Sequence, residues 1–170
     1  HIGMQQIELM APAGNFESLQ AALDNGADSV YFGVEQLNMR ARASINFTLD
    51  DLPEISRRCK AKGVRTYLTL NTIIYDHDLS IVKTLLKKAK EADLTAIIAM
   101  DQAVIAAARE LGLEIHISTQ INVTNIETVK FYALFADTMV LSRELSLRQV
   151  KKITELIEKE QIKGPSGRLV

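Results

Sequence analysis

The side chains that could do chemistry in this sequence lie in the segments that follow short β-rich runs. Arg40 and Arg42 stand two positions apart in one such segment, and two guanidinium groups on one side of an extended loop suit a carboxylate or a phosphate. Polar and charged residues follow the other runs as well. The candidate site residues are Asn38, Arg40, Arg42, Asn71, Asp101, Thr119, Gln120, Asn122, Arg143 and Glu144.

Several of these residues also have a purely structural interpretation as helix caps. Asp101 could cap the helix that follows it, because a side-chain oxygen at that position accepts a hydrogen bond from the first helical turn. The same applies to Asn15 and to either Asn122 or Asn125. The sequence leaves both interpretations open.

Ion pairing, solvation and packing account for other candidates. Arg143 and Glu144 could pair with each other and fix a loop, while Arg40 and Arg42 could line a solvated loop edge. His116 alternates with isoleucines in a β-rich run, so we expect it in the interior of the fold.

The familiar signatures of hydrolytic and metal sites are missing from the sequence. It contains no H-E-x-x-H, no G-x-S-x-G, no phosphate-binding P-loop and no cysteine pair. Cys59 lies in a helical stretch without an obvious catalytic partner, and we expect a small, partly buried packing residue there. His77 stands at a helix start and is expected to be exposed. No metal ligand set and no hydrolytic nucleophile is predicted.

Composition limits the classes of partner. The 170 residues include 20 Lys and Arg against 21 Asp and Glu, so no global basic field attracts nucleic acid or anionic lipid. The apolar runs fall far short of the roughly 20 residues that span a bilayer, and no secretion signal is recognisable. A single cysteine fits a reducing compartment. We therefore predict a cytoplasmic protein that does not contact membranes.

Short β-rich runs alternate with helical patterns along the whole chain. Strands that alternate with helices pair in parallel through right-handed crossovers. An open doubly wound sheet is the alternative, but the turn after the first strand lacks the G-x-G-x-x-G of that fold. Strands are predicted at 7–12, 29–34, 64–70, 95–100, 114–118 and 138–141, and helices at 15–25, 49–62, 77–92, 102–111, 126–135 and 146–159.

The predicted fold class is therefore α/β, an incomplete (β/α)₈ TIM-type barrel with six βα units. Residues 1–4 are interpreted as a tag remnant, 5–160 as the partial barrel, and 161–170 as a tail leading toward the missing seventh strand. In such barrels ligands meet the loops after the strands, so we expect the candidate residues on one face. The first and last strands would leave open edges, which predicts self-association.

Eight segments of the chain carry a family resemblance, and the match covers essentially all of residues 7–150. The sequence is similar to the collagenase-like peptidases of peptidase family U32. The matching segments are ELMAPAG at 8–14, LQAA at 19–22, GADSVYFG at 26–33, NMRARA at 38–43, NF at 46–47, YLTLNT at 67–72, STQINVTN at 118–125 and LSRELS at 141–146.

The resemblance implies two kinds of activity. Some members are named for proteolysis, whereas others belong to oxygen-independent hydroxylation systems that act on RNA bases or quinone precursors. The latter hold an iron–sulfur cluster with cysteines beyond the region covered here, so this chain itself is expected to carry no cofactor. The implied substrate is a peptide, an RNA or a small aromatic compound.

The resemblance also suggests roles for the candidate residues. Arg40 and Arg42 would hold an anionic group, and Asp101 or Glu144 would handle a proton. The amides would donate or accept hydrogen bonds to substrate; they are Asn71, Gln120 and Asn122. The alternative function is a non-catalytic accessory barrel that binds RNA or protein.

Overall fold

A computed structural model describes residues 8–34, 47–70, 72–118 and 121–170, and strands alternate with helices throughout. The strands are β1 (Met10–Pro12), β2 (Ser29–Phe32), β3 (Arg65–Leu70), β4 (Ala96–Ala99), β5 (Ile115–Ile117) and β6 (Thr138–Met139). The α-helices are α1 (Phe16–Asp24), α2 (Leu52–Ala61), α3 (Leu79–Glu91), α4 (Gln102–Glu110), α5 (Ile126–Ala133) and α6 (Leu147–Glu160). Short 3₁₀ turns at Leu49–Asp51 and Asp76–Asp78 lead into α2 and α3.

The strands form one parallel sheet in which each strand pairs with the next one along the chain, in the order β1 to β6. A doubly wound sheet reverses its strand order at a switch point, and no reversal occurs here. The register continues across the sheet, with Thr69 opposite Ile98, Ile98 opposite His116 and His116 opposite Thr138. The sheet curls into a partial barrel, which confirms the predicted fold class.

The helices begin where the sequence supplies a cap. The Asn15 side chain accepts a hydrogen bond from the Ser18 amide at 2.8 Å. The Asn15 amide donates in turn to the Ser18 hydroxyl, which completes a capping box. Ser146 and Gln149 repeat this arrangement at α6. Gly63 ends α2 at a φ of +68°, a conformation that side chains disfavour.

The core lies between the sheet and its helices. Leu68, Ile97 and Ile117 point outward from the strands and are fully buried beneath the helical layer. The alternate strand positions face the barrel interior and are only partly covered, as at Ile98 and His116. Because strand side chains alternate between faces, this difference in burial identifies which residues line the interior. The predicted interior position of His116 is confirmed.

The two edge strands lack this cover. β1 and β6 each have a strand neighbour on one side alone within the described sheet. Leu9, Met10 and Val140 are 54%, 41% and 45% exposed, whereas the side chains of β4 are buried or half-buried. The missing cover is what a partial barrel predicts for its outermost strands.

Residues 161–170 fold back as a small hairpin, with Lys163 bridged to Leu169. The Ser166 amide and hydroxyl both donate to Asp137 Oδ1, at 3.0 and 2.7 Å, which fixes the hairpin beside the start of β6. Within the described residues the hairpin pairs with neither sheet edge. That this segment leads toward a seventh strand stays a prediction, and residues 1–4 lie outside the described part of the chain. No helix in that part has the length and apolar character needed to cross a bilayer.

Candidate functional site

The loops that follow β1 to β6 meet at one end of the sheet, here called the carboxyl-end face. Asp101, Asn122, Arg143 and Glu144 lie in these loops. The other predicted site residues lie outside the described residues, so their convergence with these four stays a prediction. They are Asn38, Arg40, Arg42, Asn71, Thr119 and Gln120.

Asp101 is the N-cap of α4. Its Oδ1 accepts a hydrogen bond from the Ala103 amide at 2.8 Å, and its Oδ2 accepts one from the Ile74 amide at 3.2 Å. The half-buried carboxylate therefore joins the start of α4 to the loop between β3 and α3. The capping interpretation is confirmed, and Asp101 positions part of the carboxyl-end face. A proton-handling role for it stays a prediction.

Asn122 and Asn125 have separate roles. Asn125 caps α5 by accepting a hydrogen bond from the Thr128 amide at 2.8 Å. Asn122 is exposed and has a φ of +57°, a left-handed conformation that asparagine tolerates better than most residues. The turn at Asn122 leads into Val123, whose bridge to Leu141 extends the contact between the loops after β5 and β6. Asn122 therefore remains a candidate for substrate contact.

Arg143 and Glu144 are both exposed and form no ion pair with each other among the described residues. The backbone amide of Glu144 donates instead to the buried Ser142 hydroxyl at 3.3 Å, which fixes the turn after β6. The predicted structural ion pair is therefore not found. Both charged groups are presented to solvent on the carboxyl-end face, where a substrate could reach them.

A recess that the sequence did not predict lies on the same face, at the carboxyl ends of β1, β2 and β3. Its volume is about 260 Å³, and its walls are mainly apolar. We call it the β1–β3 recess, and its lining residues are Pro12, Ala13, Gly14, Tyr31, Phe32, Gly33 and Thr69. The Ala13 amide donates to the Tyr31 carbonyl at 3.0 Å and holds the turn after β1 against β2.

Thr69 contributes a buried hydroxyl group to the lining of the recess. Its Oγ1 is buried and has no hydrogen-bond partner among the described residues. A buried hydroxyl without a partner costs on the order of 1–3 kcal/mol relative to a satisfied one. Such groups in native folds call for a specific explanation, such as a bound water or ligand. Strand alternation in the sequence could have predicted that Tyr31 and Thr69 face the barrel interior. That they line the same recess depends on how β1, β2 and β3 are aligned in the sheet, which the sequence does not indicate.

The two backbone amides just before α1, beside the recess, are hydrogen-bonded within the protein. The amides of Gly14 and Asn15 both donate to the Ser18 hydroxyl, at 3.0 and 3.1 Å. Free amides at a helix start bind anions, and these two are occupied. These two amides are therefore not free to bind an anion, and the described lining of the recess carries no charged side chain.

A larger cavity of about 620 Å³ opens at the other end of the strands. The Tyr67 hydroxyl donates to Glu8 at 3.0 Å, and Arg65 pairs with the same Glu8 carboxylate at 2.9 Å. Burial raises the pKa of Tyr67 to about 12, and the hydrogen bond to Glu8 acts in the same direction. These contacts link β3 to the segment before β1.

His116 continues this polar lining, with its ring centroid 4.9 Å from that of Tyr67. Burial lowers the pKa of His116, and its neighbour Glu114, 3.5 Å away, opposes that effect. Arg168 of the hairpin approaches Glu114 at 3.6 Å. Barrel enzymes place their chemistry at the carboxyl ends of the strands, so we interpret this amino-end network as structural.

The described residues do not fit a metal ion or an iron–sulfur cluster. They contain no group of three or more His, Cys, Asp or Glu side chains that could hold a metal. A thiolate cluster needs several cysteines, and Cys59 is the single one in the sequence. Cys59 lies on the buried face of α2, so it is also unsuitable as a nucleophile.

We predict that Cys59 is unreactive in the folded protein. Burial raises the pKa of its thiol to about 11, so almost no thiolate is present at neutral pH. Ellman's reagent should modify the native chain at least 100-fold more slowly than the urea-unfolded chain. Equal rates in the two states would contradict the burial of Cys59.

Comparison with known proteins gives consistent findings. The profile of Peptidase family U32 matches residues 14–163. The chain is 49% identical to a collagenase of Porphyromonas gingivalis over 98% of its own length, which is 40% of that protein. It is also 32% identical to tRNA hydroxylation protein P1 of Bacillus subtilis, over 90% of this chain and 37% of that protein. The chain thus spans about two fifths of the length of these relatives.

A solved structure supports the fold. The chain superposes on that of the U32 peptidase Mk0906 with a TM-score of 0.69, over 91% of this chain and 68% of the other. The two share 15% sequence identity, so this likeness concerns the fold alone.

Proposed function

Because the chain belongs to peptidase family U32, we propose that it is the substrate-facing barrel portion of an enzyme that hydroxylates an RNA base in the cytoplasm. The observation that carries this proposal is the character of the carboxyl-end face. It combines a mainly apolar recess with an exposed arginine, Arg143, and the described residues contain no hydrolytic set. A ring-sized recess on the same face as an exposed cationic group suits a base and its phosphate backbone.

The relatives support hydroxylation alongside proteolysis. A tRNA hydroxylation protein matches nearly the whole chain, as does a collagenase. Proteolysis requires a nucleophile with its base, or a metal-activated water. Cys59 is buried, and no metal-binding cluster occurs in the described parts of the chain. The chain's own residues therefore favour substrate binding over hydrolysis.

Hydroxylation replaces a ring C–H bond by a C–OH bond and is a two-electron oxidation, so the reaction needs an oxygen donor, and a redox group that passes the two electrons on to an acceptor. The described residues do not fit one, as shown above for an iron–sulfur cluster. We assign any such cluster to a part of the full-length protein outside this chain. The role of this chain is then to bind and orient the substrate, through Arg143 and the predicted contacts Arg40 and Arg42.

Nucleoside mass spectrometry of cellular RNA tests this proposal. We expect a strain that lacks the gene to lose one nucleoside that carries an additional oxygen atom, and the intact gene to restore it. Arg143→Ala in the full-length protein should lower the restored amount at least 10-fold. Lys87→Ala, which removes an exposed cation from α3, is the matched control and should restore it fully.

Two results would contradict the proposal. One is an RNA nucleoside profile that is identical with and without the gene. The other is gelatin cleavage by the purified full-length protein that a substitution on the carboxyl-end face abolishes. The alternative, a non-catalytic accessory barrel that binds RNA or protein, predicts RNA or protein binding with an unchanged nucleoside profile.

A further inference from the structure

We propose that the β1–β3 recess is the subsite that receives the planar ring of the substrate, a neutral heterocycle of nucleobase size. This inference rests on the proposed function and names the place where the base binds. None of the four candidate residues that the structure describes, Asp101, Asn122, Arg143 and Glu144, lies in the recess.

The size of the recess fits a single ring system. An apolar protein cavity of about 150 Å³ is large enough to bind benzene. The recess has about 260 Å³, which leaves room for a six-membered ring with its exocyclic groups and the start of a sugar. Its opening lies on the carboxyl-end face, so the rest of the substrate can remain outside.

The charge of the recess selects the kind of ligand. None of the lining side chains that the structure describes is ionisable to an anion or cation at neutral pH, and the nearby amides of Gly14 and Asn15 are occupied by Ser18. A phosphate or carboxylate would lose its hydration here without gaining a partner. A neutral ring loses little, and Tyr31 provides aromatic surface for contact.

The Thr69 hydroxyl gives the recess its polar specificity. Its Oγ1 is buried without a partner in the part of the chain that the structure describes, and a hydroxyl can both donate and accept a hydrogen bond. Because Oγ1 is inaccessible to solvent, a ring carbonyl or ring nitrogen in the recess would satisfy it after a rotation about the Thr69 Cα–Cβ bond turns the hydroxyl toward the ligand. A purely hydrocarbon ring would leave the hydroxyl unsatisfied, so we expect a heterocycle to bind more tightly than benzene.

Titration of the ¹⁵N-labelled 170-residue chain with uridine, followed by NMR, tests the inference. We expect amide shifts at Ala13, Gly14, Gly33 and Thr69, with a dissociation constant in the millimolar range. Thr69→Val keeps the side-chain shape and removes the hydroxyl, and it should weaken binding at least three-fold. Thr84→Val, a similar change on the exposed side of α3, is the control and should leave binding unchanged.

A second variant tests the space itself. A β-carbon at Gly14 would meet no atom within 4 Å, and its φ is not left-handed, so Gly14→Leu should fold normally. Its side chain should occupy the mouth of the recess and abolish the uridine shifts. Binding that is unchanged in both Thr69→Val and Gly14→Leu, or no shift at these amides, would overturn the inference.

The outcomes separate this inference from the proposed function. If uridine binds the recess and RNA nucleosides do not depend on the gene, the proposed function fails and the recess remains a ring-binding site. If the gene is needed for RNA hydroxylation and full-length Thr69→Val and Gly14→Leu proteins retain full activity, the recess inference fails alone.

Discussion

Replacing Leu68 by alanine is expected to lower the free energy of unfolding by about 2 to 5 kcal/mol. Leu68 lies in the middle of β3, between two neighbouring strands, and its side chain is fully buried beneath the helices. Truncation removes apolar contacts and leaves a cavity that a parallel sheet, held on both sides, cannot easily close. Urea denaturation monitored by circular dichroism measures the change as a shift in the midpoint.

Leu147→Ala is the matched control, since it makes the same chemical change at a leucine that is 89% exposed. Leu147 is the first residue of α6, where alanine is also a good helix former. The expected change in the free energy of unfolding is within about 0.5 kcal/mol. Similar losses for the two variants would mean that the sheet does not bury its outward face as described.

The local elements could be predicted because their signals lie within a few residues of each other. Asn15 with Ser18 and Ser146 with Gln149 cap helices at the spacing that the capping box requires. Gly63 ends a helix where the chain needs a left-handed residue. Alternation of strands and helices then restricts the fold to a few parallel-sheet topologies. Among these, the absence of the G-x-G-x-x-G motif favoured the barrel over the doubly wound sheet.

The contacts that define the site depend on residues far apart in the sequence. Tyr67 bonds to Glu8, 59 positions earlier, and no periodic pattern indicates that pair. Thr69 borders a recess whose other walls come from β1 and β2. Arg143 and Glu144 are adjacent in the sequence, which suggested an ion pair between them. A turn fixed by Ser142 instead presents both side chains to solvent. Register and turn geometry decide these arrangements.

Asp101 was placed on the correct face from the sequence, but the hydrogen bonds of its side chain are structural. Its position after β4 follows from the barrel topology, and its side chain does lie on the carboxyl-end face. Its two oxygens are engaged by the Ala103 and Ile74 amides. A substrate that used this carboxylate would have to compete with two backbone donors, so Arg143 and the recess are the more accessible groups for binding.

The two open edges lead to the prediction with the most direct physical readout. β1 and β6 present unpaired backbone groups, and Leu9, Met10, Val140 and Leu169 are each more than 40% exposed beside them. Covering a few hundred Å² of apolar surface stabilises an assembly by several kcal/mol, at about 25 cal/mol per Å². That is comparable with the whole stability of a small domain.

We therefore expect the 170-residue chain to associate through this side, most simply as a two-fold dimer. Light scattering at about 50 μM should give twice the chain mass of 18.9 kDa. Val140→Lys places a charge on the exposed edge, and this charge would become buried in the dimer and oppose strand pairing. The dissociation constant of the dimer should therefore rise at least 10-fold. Ile81→Lys is the control, since Ile81 is 38% exposed on α3, away from both edges. A monomer at all concentrations up to 200 μM would contradict this prediction and would mean that the chain stabilises its edges without a partner. The hairpin at 161–170 is the element that could do so, because it already borders β6 through Asp137.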